Sequence, residues 1–264
     1  MTSADYRYPD LPADFSHYTL PSPGIPKVRD EMVVVTTGTG EGPGVILMHE
    51  ASGMSEHCLG LATELADSGF RMFLPLLFGK PGQSKAFDVR GLFCMRKEMH
   101  FLASRRTSPI AQLLRRLIVD VANKTEREKV GVIGMCLTGN LVFALMGEAG
   151  VGAAISSQPS LPLPLLGRLS PGYKKAALAT DPADLMEAVR SETPLLALRF
   201  AGDRICPPER FDSLERLFGE TGALDCQAVP GDDHALLTAH RPVGTEDDKV
   251  PMVKEFLIDH LTIR

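Results

Sequence analysis

Short, almost continuously apolar segments alternate along the chain with segments whose apolar residues recur every three or four positions. A continuous apolar run is typical of a strand covered on both faces, whereas a spacing of three and four indicates one face of a helix. The predicted strands lie at residues 45–49, 70–74, 130–134, 152–156, 194–200 and 224–229. The predicted helices lie at residues 58–67, 108–121, 138–148, 207–218 and 250–261.

This alternation predicts an α/β fold, with a mostly parallel sheet and helices on both of its faces. A short β-branched run at 32–36 precedes the first of these strands. We expect one domain at residues 31–264, preceded by a proline-containing, irregular lead-in at residues 1–30. Residues 78–107 show no clear periodicity and are interpreted as a cap or pocket insertion.

Composition narrows the functional classes. The chain has 264 residues, of which 44% are hydrophobic and 23% charged, and 28 Lys and Arg against 33 Asp and Glu give a net charge of −5. This balance argues against fibrous, disordered and nucleic-acid-binding proteins, which show periodic glycine, depleted apolar content or a basic excess. A chain of this length can bury a large core.

The five cysteines contain no C-x-x-C pair, so neither a disulfide framework nor a zinc knuckle is indicated. They are interpreted as reduced thiols. The first twenty residues lack a basic start followed by an apolar run, and no apolar stretch approaches the ~20 residues of a membrane span. We therefore expect a soluble, cytoplasmic protein without a membrane partner; the oligomeric state stays open.

The candidate nucleophile is Cys136, within Gly-Met-Cys-Leu-Thr-Gly at 134–139. The segment joins a predicted strand to a predicted helix, the layout of a nucleophile elbow, in which small neighbours allow a sharp turn. A helix N-terminus also favours a thiolate. The alternative is that Cys136 is a buried small hydrophobic residue, which is common for a free cysteine.

An acid and a histidine follow Cys136 at later strand ends. Asp203 comes after the strand at 194–200, and His234 after the strand at 224–229. Nucleophile, acid and histidine is the chain order of an α/β-hydrolase triad, and the carboxyl ends of parallel strands converge on one crevice. Asp232 and Asp233 compete for the acid role, but Asp203 is preferred because it directly follows a strand.

These motifs resemble the dienelactone hydrolase family, a branch of the α/β-hydrolases with a cysteine nucleophile. The resemblance covers roughly residue 45 to the C-terminus. Its other motifs are Met-His-Glu-Ala-Ser-Gly at 48–53, Ala-Gly-Asp-Arg-Ile-Cys-Pro at 201–207 and Asp-His-Ala-Leu at 233–236. It implies that Glu50 lies beside the thiol and shares the rest-state proton with Cys136 and His234; otherwise Glu50 is a solvated loop carboxylate. The backbone N–H groups of Leu137 and Ala51 are expected to form the oxyanion hole.

Two positions depart from the family pattern. Thr138 stands where the family usually has glycine, and we expect it either to cap the following helix or to line the pocket as a substrate-binding residue. Thr238 stands four residues after the histidine, where the family tends to place an arginine that holds a substrate carboxylate.

A basic segment could replace that arginine. Residues 80–120 carry nine Lys and Arg against three Asp and Glu, in a protein that is acidic as a whole. Such a segment could attract an anionic substrate, with Arg90 and Arg96 as candidate contacts, although a solvated surface is the simpler interpretation. His100 is either a pocket wall or a loop residue, and Arg204 is expected to pair with the acid.

The sequence thus predicts a hydrolase that cleaves a lactone or activated carboxylic ester through Cys136, His234, Asp203 and a thioester, with an anionic substrate as one option. No cofactor is expected. A metal site at His49, Glu50 and His57 has little support, because the spacing differs from H-E-x-x-H. The alternative function is a catalytically impaired ligand-binding or regulatory protein on the same fold.

Overall fold

A mostly parallel sheet with helices on both faces forms an α/β domain in the computed structural model, which describes residues 11–21, 31–77, 79–82, 108–160, 178 and 180–262. In this part of the chain eight strands form one sheet, in the order β1-β2-β4-β3-β5-β6-β7-β8. The strands are β1 (Ser16–Pro21), β2 (Glu31–Thr37), β3 (Gly44–Met48), β4 (Arg71–Pro75), β5 (Val130–Met135), β6 (Val151–Ser157), β7 (Leu195–Phe200) and β8 (Leu224–Val229). β1, β2 and β4 pair antiparallel, and the remaining pairs are parallel.

Helices connect the parallel strands. They are α1 (Glu56–Asp67), α2 (Pro109–Thr125), α3 (Gly139–Leu145), α4 (Pro182–Ser191), α5 (Pro208–Phe218) and α6 (Val250–Leu261). Two of the starts are capped as their sequences predict: the Ser55 hydroxyl accepts the N–H of Cys58, and the Ser108 hydroxyl accepts the N–H groups of Ile110 and Ala111. None of the helices in the described ranges has the length and apolar character that a bilayer crossing requires.

The sheet is covered on both faces, which explains its continuously apolar strands. In β3, Ile46 and Met48 pack into the core formed with α2 and α3, whereas Val45 and Leu47 pack into the core formed with α1 and α6. All four are fully buried. Because successive side chains of a strand point to opposite faces, a strand between two helical layers needs apolar residues at every position.

The structure differs from the sequence prediction at the N-terminus and in α4. Ser16–Pro21, placed in the irregular lead-in, is an edge strand paired with β2, and of its residues only Leu20 is buried, so its apolar pattern is weak. In α4 only Ala188 is buried, which leaves no apolar stripe for the prediction to detect. The predicted helix at 138–148 is shorter and follows a single 3₁₀ turn over Cys136–Thr138. Most of the 78–107 insertion lies outside the described residues.

Candidate active site

Cys136 occupies a sharp turn directly after β5. Its φ is 57°, a left-handed conformation that non-glycine residues rarely adopt and that is often found at functional sites. Gly134 makes the turn possible, since a Cβ at that position would lie 2.4 Å from the carbonyl oxygen of Thr138. The Cys136 side chain is largely buried, with 6% of the residue exposed. These features are those of a nucleophile elbow.

Asp203 and His234 form a direct pair at the ends of neighbouring strands. His234 Nδ1 lies 2.7 Å from Asp203 Oδ2. The other carboxylate oxygen of Asp203 accepts the N–H groups of Ile205 at 2.8 Å and Cys206 at 3.0 Å. Both oxygens of this buried carboxylate are therefore hydrogen-bonded, and the carboxylate orients the imidazole through Nδ1.

The charges of this pair stabilise one another. Burial alone would raise the pKa of Asp203, but the hydrogen bond and charge of His234 and the two backbone N–H groups outweigh it and lower that pKa. Burial disfavours the charged imidazole of His234, yet interactions with Asp203 and Cys136 raise its pKa to about 10. An imidazolium beside the Cys136 sulfur is therefore favoured over a neutral ring.

The competing carboxylates lie elsewhere. Asp232 and Asp233 are exposed, whereas Asp203 is buried against the histidine. The preference for the acid that directly follows a strand thus agrees with the geometry. Arg204, expected to pair with that acid, has an exposed side chain, and the Asp203 oxygens are engaged by the three donors described above.

Ser160 brings a hydroxyl between the sulfur and the imidazole. Its Oγ lies 3.2 Å from Cys136 Sγ and 3.4 Å from His234 Nε2. Sequence reasoning did not identify this residue. A signal was nevertheless present, because Ser160 is the third residue after β6, and the carboxyl ends of parallel strands converge on one crevice.

Glu50 follows β3 and is held by two polar side chains. Its Oε1 accepts a hydrogen bond from the Thr238 hydroxyl at 3.0 Å and another from the Gln158 amide at 3.3 Å. The Ser157 hydroxyl donates to the amide oxygen of Gln158 and so orients that amide. Burial raises the pKa of Glu50, although Thr238, His234, His240 and Gln158 oppose the rise. Glu50 is therefore partly buried and hydrogen-bonded beside the histidine, and not a fully solvated loop carboxylate.

The two expected oxyanion donors lie after paired strand ends. Met48 of β3 pairs with Gly134 of β5, and Ala51 and Leu137 each follow three residues later. Leu137 lies in the helical turn over Cys136–Thr138, where backbone N–H groups have no acceptor within the helix. The region of Ala51 is a tight turn closed by the N–H of Gly53 and the carbonyl oxygen of Glu50, 3.0 Å apart.

Thr138 does not take either role expected of it. The residue is fully buried, so it does not line a pocket, and its side chain does not cap α3. Its hydroxyl accepts the N–H of Met135 at 2.9 Å and lies 3.1 Å from the carbonyl oxygens of both Met48 and His49. Thr138 therefore binds the elbow to the end of β3 from inside the domain.

His49 and His57, which the sequence offered with Glu50 as a poorly supported metal site, lie in different surroundings. His49 is fully buried; Leu77 N–H donates to its Nε2 at 3.1 Å, and its Nδ1 lies 2.8 Å from the carbonyl oxygen of Glu50. Burial lowers the pKa of His49 to about 4. His57 is exposed. Within the described ranges, no three His, Cys, Asp or Glu side chains are grouped so that they could hold a metal ion.

The candidate substrate contacts Arg90 and Arg96, together with His100, lie outside the described residues. The structure adds three polar residues around the elbow that sequence reasoning missed: Ser160, Gln158 and Asn140. The Asn140 amide donates to the carbonyl oxygens of Leu137 at 3.2 Å and Ser160 at 3.0 Å.

Known proteins share this fold. A putative dienelactone hydrolase from Klebsiella pneumoniae subsp. pneumoniae superposes with a TM-score of 0.63 at 19% identity, covering 94% of this chain and 98% of that one. A dienelactone hydrolase from Anabaena variabilis gives 0.60 at 16% identity, covering 94% and 100% of the two chains. A dienelactone hydrolase-like promiscuous phosphotriesterase from metagenomic libraries gives 0.60 at 16%, covering 92% and 95%. No curated protein matches the chain.

At these identities the superpositions show the fold alone. The sequence model of the dienelactone hydrolase family, in contrast, matches residues 31–256, which is most of the chain. That range includes the elbow, Glu50, Asp203 and His234. The chain belongs to the dienelactone hydrolase family.

Proposed function

We propose that the protein hydrolyses a lactone or an activated carboxylic ester, with Cys136 as the nucleophile. One observation carries the proposal: a sulfur on a strained strand-to-helix turn lies one hydroxyl away from a histidine that is hydrogen-bonded to a buried aspartate. Nucleophile, base and orienting acid are the three roles of this type of catalysis.

In the first half-reaction the Cys136 thiolate attacks the carbonyl carbon. The new S–C bond pushes the carbonyl electrons onto oxygen, and the N–H groups of Leu137 and Ala51 bind that oxyanion. When the carbonyl re-forms, the C–O bond to the leaving group breaks. The leaving oxygen takes the proton of the His234 imidazolium, and a thioester remains on Cys136; in a lactone both parts stay in one molecule.

In the second half-reaction water replaces the leaving group. Neutral His234 accepts a proton from a water molecule as the water oxygen bonds to the thioester carbon. The C–S bond then breaks, which releases a carboxylic acid and restores the thiolate and the imidazolium. Asp203 stabilises the charged imidazole in both halves and holds its Nδ1 proton.

A thiolate nucleophile restricts the substrates. In the tetrahedral intermediate the better leaving group departs, and a thiolate leaves more readily than an ordinary alkoxide. The forward reaction therefore needs a stabilised leaving oxyanion, such as an enolate or an aryl oxide. This chemistry favours enol lactones and aryl esters over simple alkyl esters.

Glu50 completes the proposed rest state. Glu50 is partly buried, its pKa is raised by that burial, and it is coupled electrostatically to His234. A carboxyl whose protonated form is favoured in this way can exchange a proton with the thiolate and the imidazole. We assign Glu50 to this shared proton, in agreement with the family resemblance.

An activity panel on wild type and two variants of the nucleophile tests the proposal. Wild type and Cys136→Ala are compared on a panel of lactones and aryl esters with and without a carboxylate. The alanine variant is expected to fold and to lose turnover, and Cys136→Ser to retain little. Full activity of the alanine variant on an activated ester would overturn the proposal.

Selective alkylation separates an enzyme from a ligand-binding protein on the same fold. Burial raises the pKa of the Cys58 and Cys206 thiols, and these residues serve as internal references. With iodoacetamide at neutral pH, mass spectrometry should show Cys136 modified first. Modification of Cys136 no faster than of the other cysteines, together with no turnover on the panel, would favour the ligand-binding alternative.

A further inference from the structure

The backbone of Ser160 is bound to the nucleophile turn on both of its sides. Ser160 N–H donates to the carbonyl oxygen of Cys136 at 3.0 Å, and its own carbonyl oxygen accepts the amide of Asn140 at 3.0 Å. The same amide also binds Leu137, next to the nucleophile. Ser160 is fully buried. These backbone hydrogen bonds hold Ser160 in position, and its hydroxyl lies against the sulfur of Cys136.

The chain enters this segment through a conformation that brings Ser160 back over the elbow. Gln158 has a φ of 38°, and its N–H donates to the carbonyl oxygen of Leu198 in β7. A left-handed residue directly after a strand is uncommon and has an energetic cost. The turn that it produces places residues 158 and 160 on two neighbouring groups of the site, Glu50 and Cys136.

The hydroxyl of Ser160 can serve both neighbours at once. A serine hydroxyl donates one hydrogen bond and accepts up to two. In the neutral state the thiol S–H donates to Oγ, and O–H donates to His234 Nε2. In the charge-separated state both directions reverse, so that Nε2–H donates to Oγ and O–H donates to the thiolate. The atoms stay in place, and only protons move.

We propose that the Ser160 hydroxyl donates a hydrogen bond to the Cys136 thiolate and accepts one from the His234 imidazolium, and thereby sets how readily the thiolate forms. The S–H proton moves to Nε2 of His234. The products are a thiolate, an intact hydroxyl and an imidazolium facing Asp203, so charge and atoms balance. This inference rests on the proposed function and adds a residue to its machinery.

The distances suit this role. The 3.2 Å contact between Oγ and the sulfur is close for an atom as large as sulfur. The 3.4 Å contact between Oγ and Nε2 is long for neutral partners, but hydrogen bonds to charged groups are shorter, and catalytic contacts tighten when substrate binds. The thiolate also keeps a donor after the proton has left. A buried charge with a hydrogen-bond donor is favoured over one without, so the Ser160 hydroxyl favours the thiolate over the thiol.

The test is the pH profile of Cys136 alkylation by iodoacetamide in the full chain, followed by mass spectrometry. For Ser160→Ala we expect the midpoint of the profile to rise by about one pH unit and the rate at pH 7 to fall about tenfold. Ser160→Thr keeps a hydroxyl and should restore most of the wild-type profile. Ser156→Ala is the matched control, because Ser156 is an equally buried serine whose hydroxyl donates to the Gly139 carbonyl oxygen.

Two results for Ser160→Ala would contradict the proposed role of its hydroxyl. A profile of Ser160→Ala that coincides with those of wild type and Ser156→Ala would overturn the proposal. So would an equal fall in rate at every pH without a change of midpoint, because that pattern indicates altered packing. Thermal unfolding of the variants identifies loss of fold, in which case Ser160→Gly, which also removes the hydroxyl, replaces Ser160→Ala and is judged by the same outcomes. The proposed function fails separately, if Cys136→Ala retains turnover.

Discussion

The Thr138 hydroxyl lies 3.1 Å from the carbonyl oxygen of Met48, so one side chain joins the nucleophile turn to the end of strand β3. The same hydroxyl accepts the N–H of Met135 and lies within hydrogen-bonding distance of the His49 carbonyl oxygen. The two proposed oxyanion donors, Leu137 and Ala51, flank these contacts along the chain. Thr138 is therefore placed to fix the spacing between the donors without touching substrate.

Thr138→Val should separate this positioning role from packing. Valine has a similar shape but leaves the Met135 N–H without its partner, which costs about 1–3 kcal/mol of stability. Displaced oxyanion donors are expected to lower kcat on an aryl ester about 100-fold with little change in KM. Thr138→Ser keeps the hydroxyl and should recover most of kcat. Unchanged kcat in the valine variant would contradict the positioning role.

Asp203→Asn should remove most of the activity. The amide cannot stabilise the imidazolium, and it favours the wrong tautomer of His234, so kcat is expected to fall about 10³- to 10⁴-fold. Steady-state kinetics measure the loss. Asp232→Asn and Asp233→Asn alter exposed carboxylates and serve as matched controls with near wild-type kcat. A comparable loss in either control would show that the acid has been misassigned.

Asp203→Asn should also change how the free energy of unfolding depends on pH. The pKa of His234 rises from its ordinary value of 6.5 to about 10 in the folded protein. A raised pKa means that this histidine contributes stability fully below pH 6.5 and loses it as the pH rises towards 10. Urea unfolding at pH 6.5, 8 and 9.5 should show this decline in wild type and a flatter curve in Asp203→Asn. Parallel curves would contradict the assignment.

The fold was largely predictable because the central strands are apolar on both faces and most of them are followed by a helix with a clear apolar stripe. The strand at 224–229 and the helix at 250–261 were placed with their exact bounds. β1 and α4 were not predicted, since an edge strand and a surface helix each bury too few residues to leave a pattern.

The contact between Asp203 and His234 was predictable because both follow strands, and the carboxyl ends of parallel strands meet at one edge of a sheet. Their catalytic roles remain a prediction. Ser160 also follows a strand, but serine is common in loops, and only a left-handed turn at Gln158 brings its hydroxyl to the sulfur. Thr138 was misassigned because the buried carbonyl oxygens that engage it come from another strand.

His49 should make the protein sensitive to acid. Its pKa is lowered by burial to about 4, and protonation would disrupt the hydrogen bond that Nε2 accepts from Leu77. A lowered histidine pKa gives stability that is present above pH 6.5 and is lost as the pH falls towards 4. Between pH 6.5 and 5 the loss should be about 2 kcal/mol, at roughly 1.4 kcal/mol per unit. His49→Gln removes this titration, so the free energy of unfolding of that variant, measured with urea, should fall less between pH 6.5 and 5. A fall identical to that of wild type would exclude His49 as the cause.

Thr238→Arg should change which esters the protein prefers. Thr238 donates to Glu50 where the family tends to place a cation, so this position offers a substrate carboxylate no charge. An arginine there adds a donor fork that matches a carboxylate, and charged hydrogen bonds of this kind are worth roughly tenfold in binding. We expect the ratio of kcat/KM for an acid-bearing aryl ester to that for its neutral methyl ester to rise about tenfold.

Size and charge must be separated in this experiment, because Thr238 is buried and arginine is larger. Thr238→Met adds length without charge and is the control. The ratio should stay near its wild-type value in the methionine variant, and the gain from arginine should shrink at 0.5 M salt, where charges are screened within a few ångströms. An equal change in both variants would mean that the pocket responds to volume, and the substrate carboxylate would then have to be held from another part of the site.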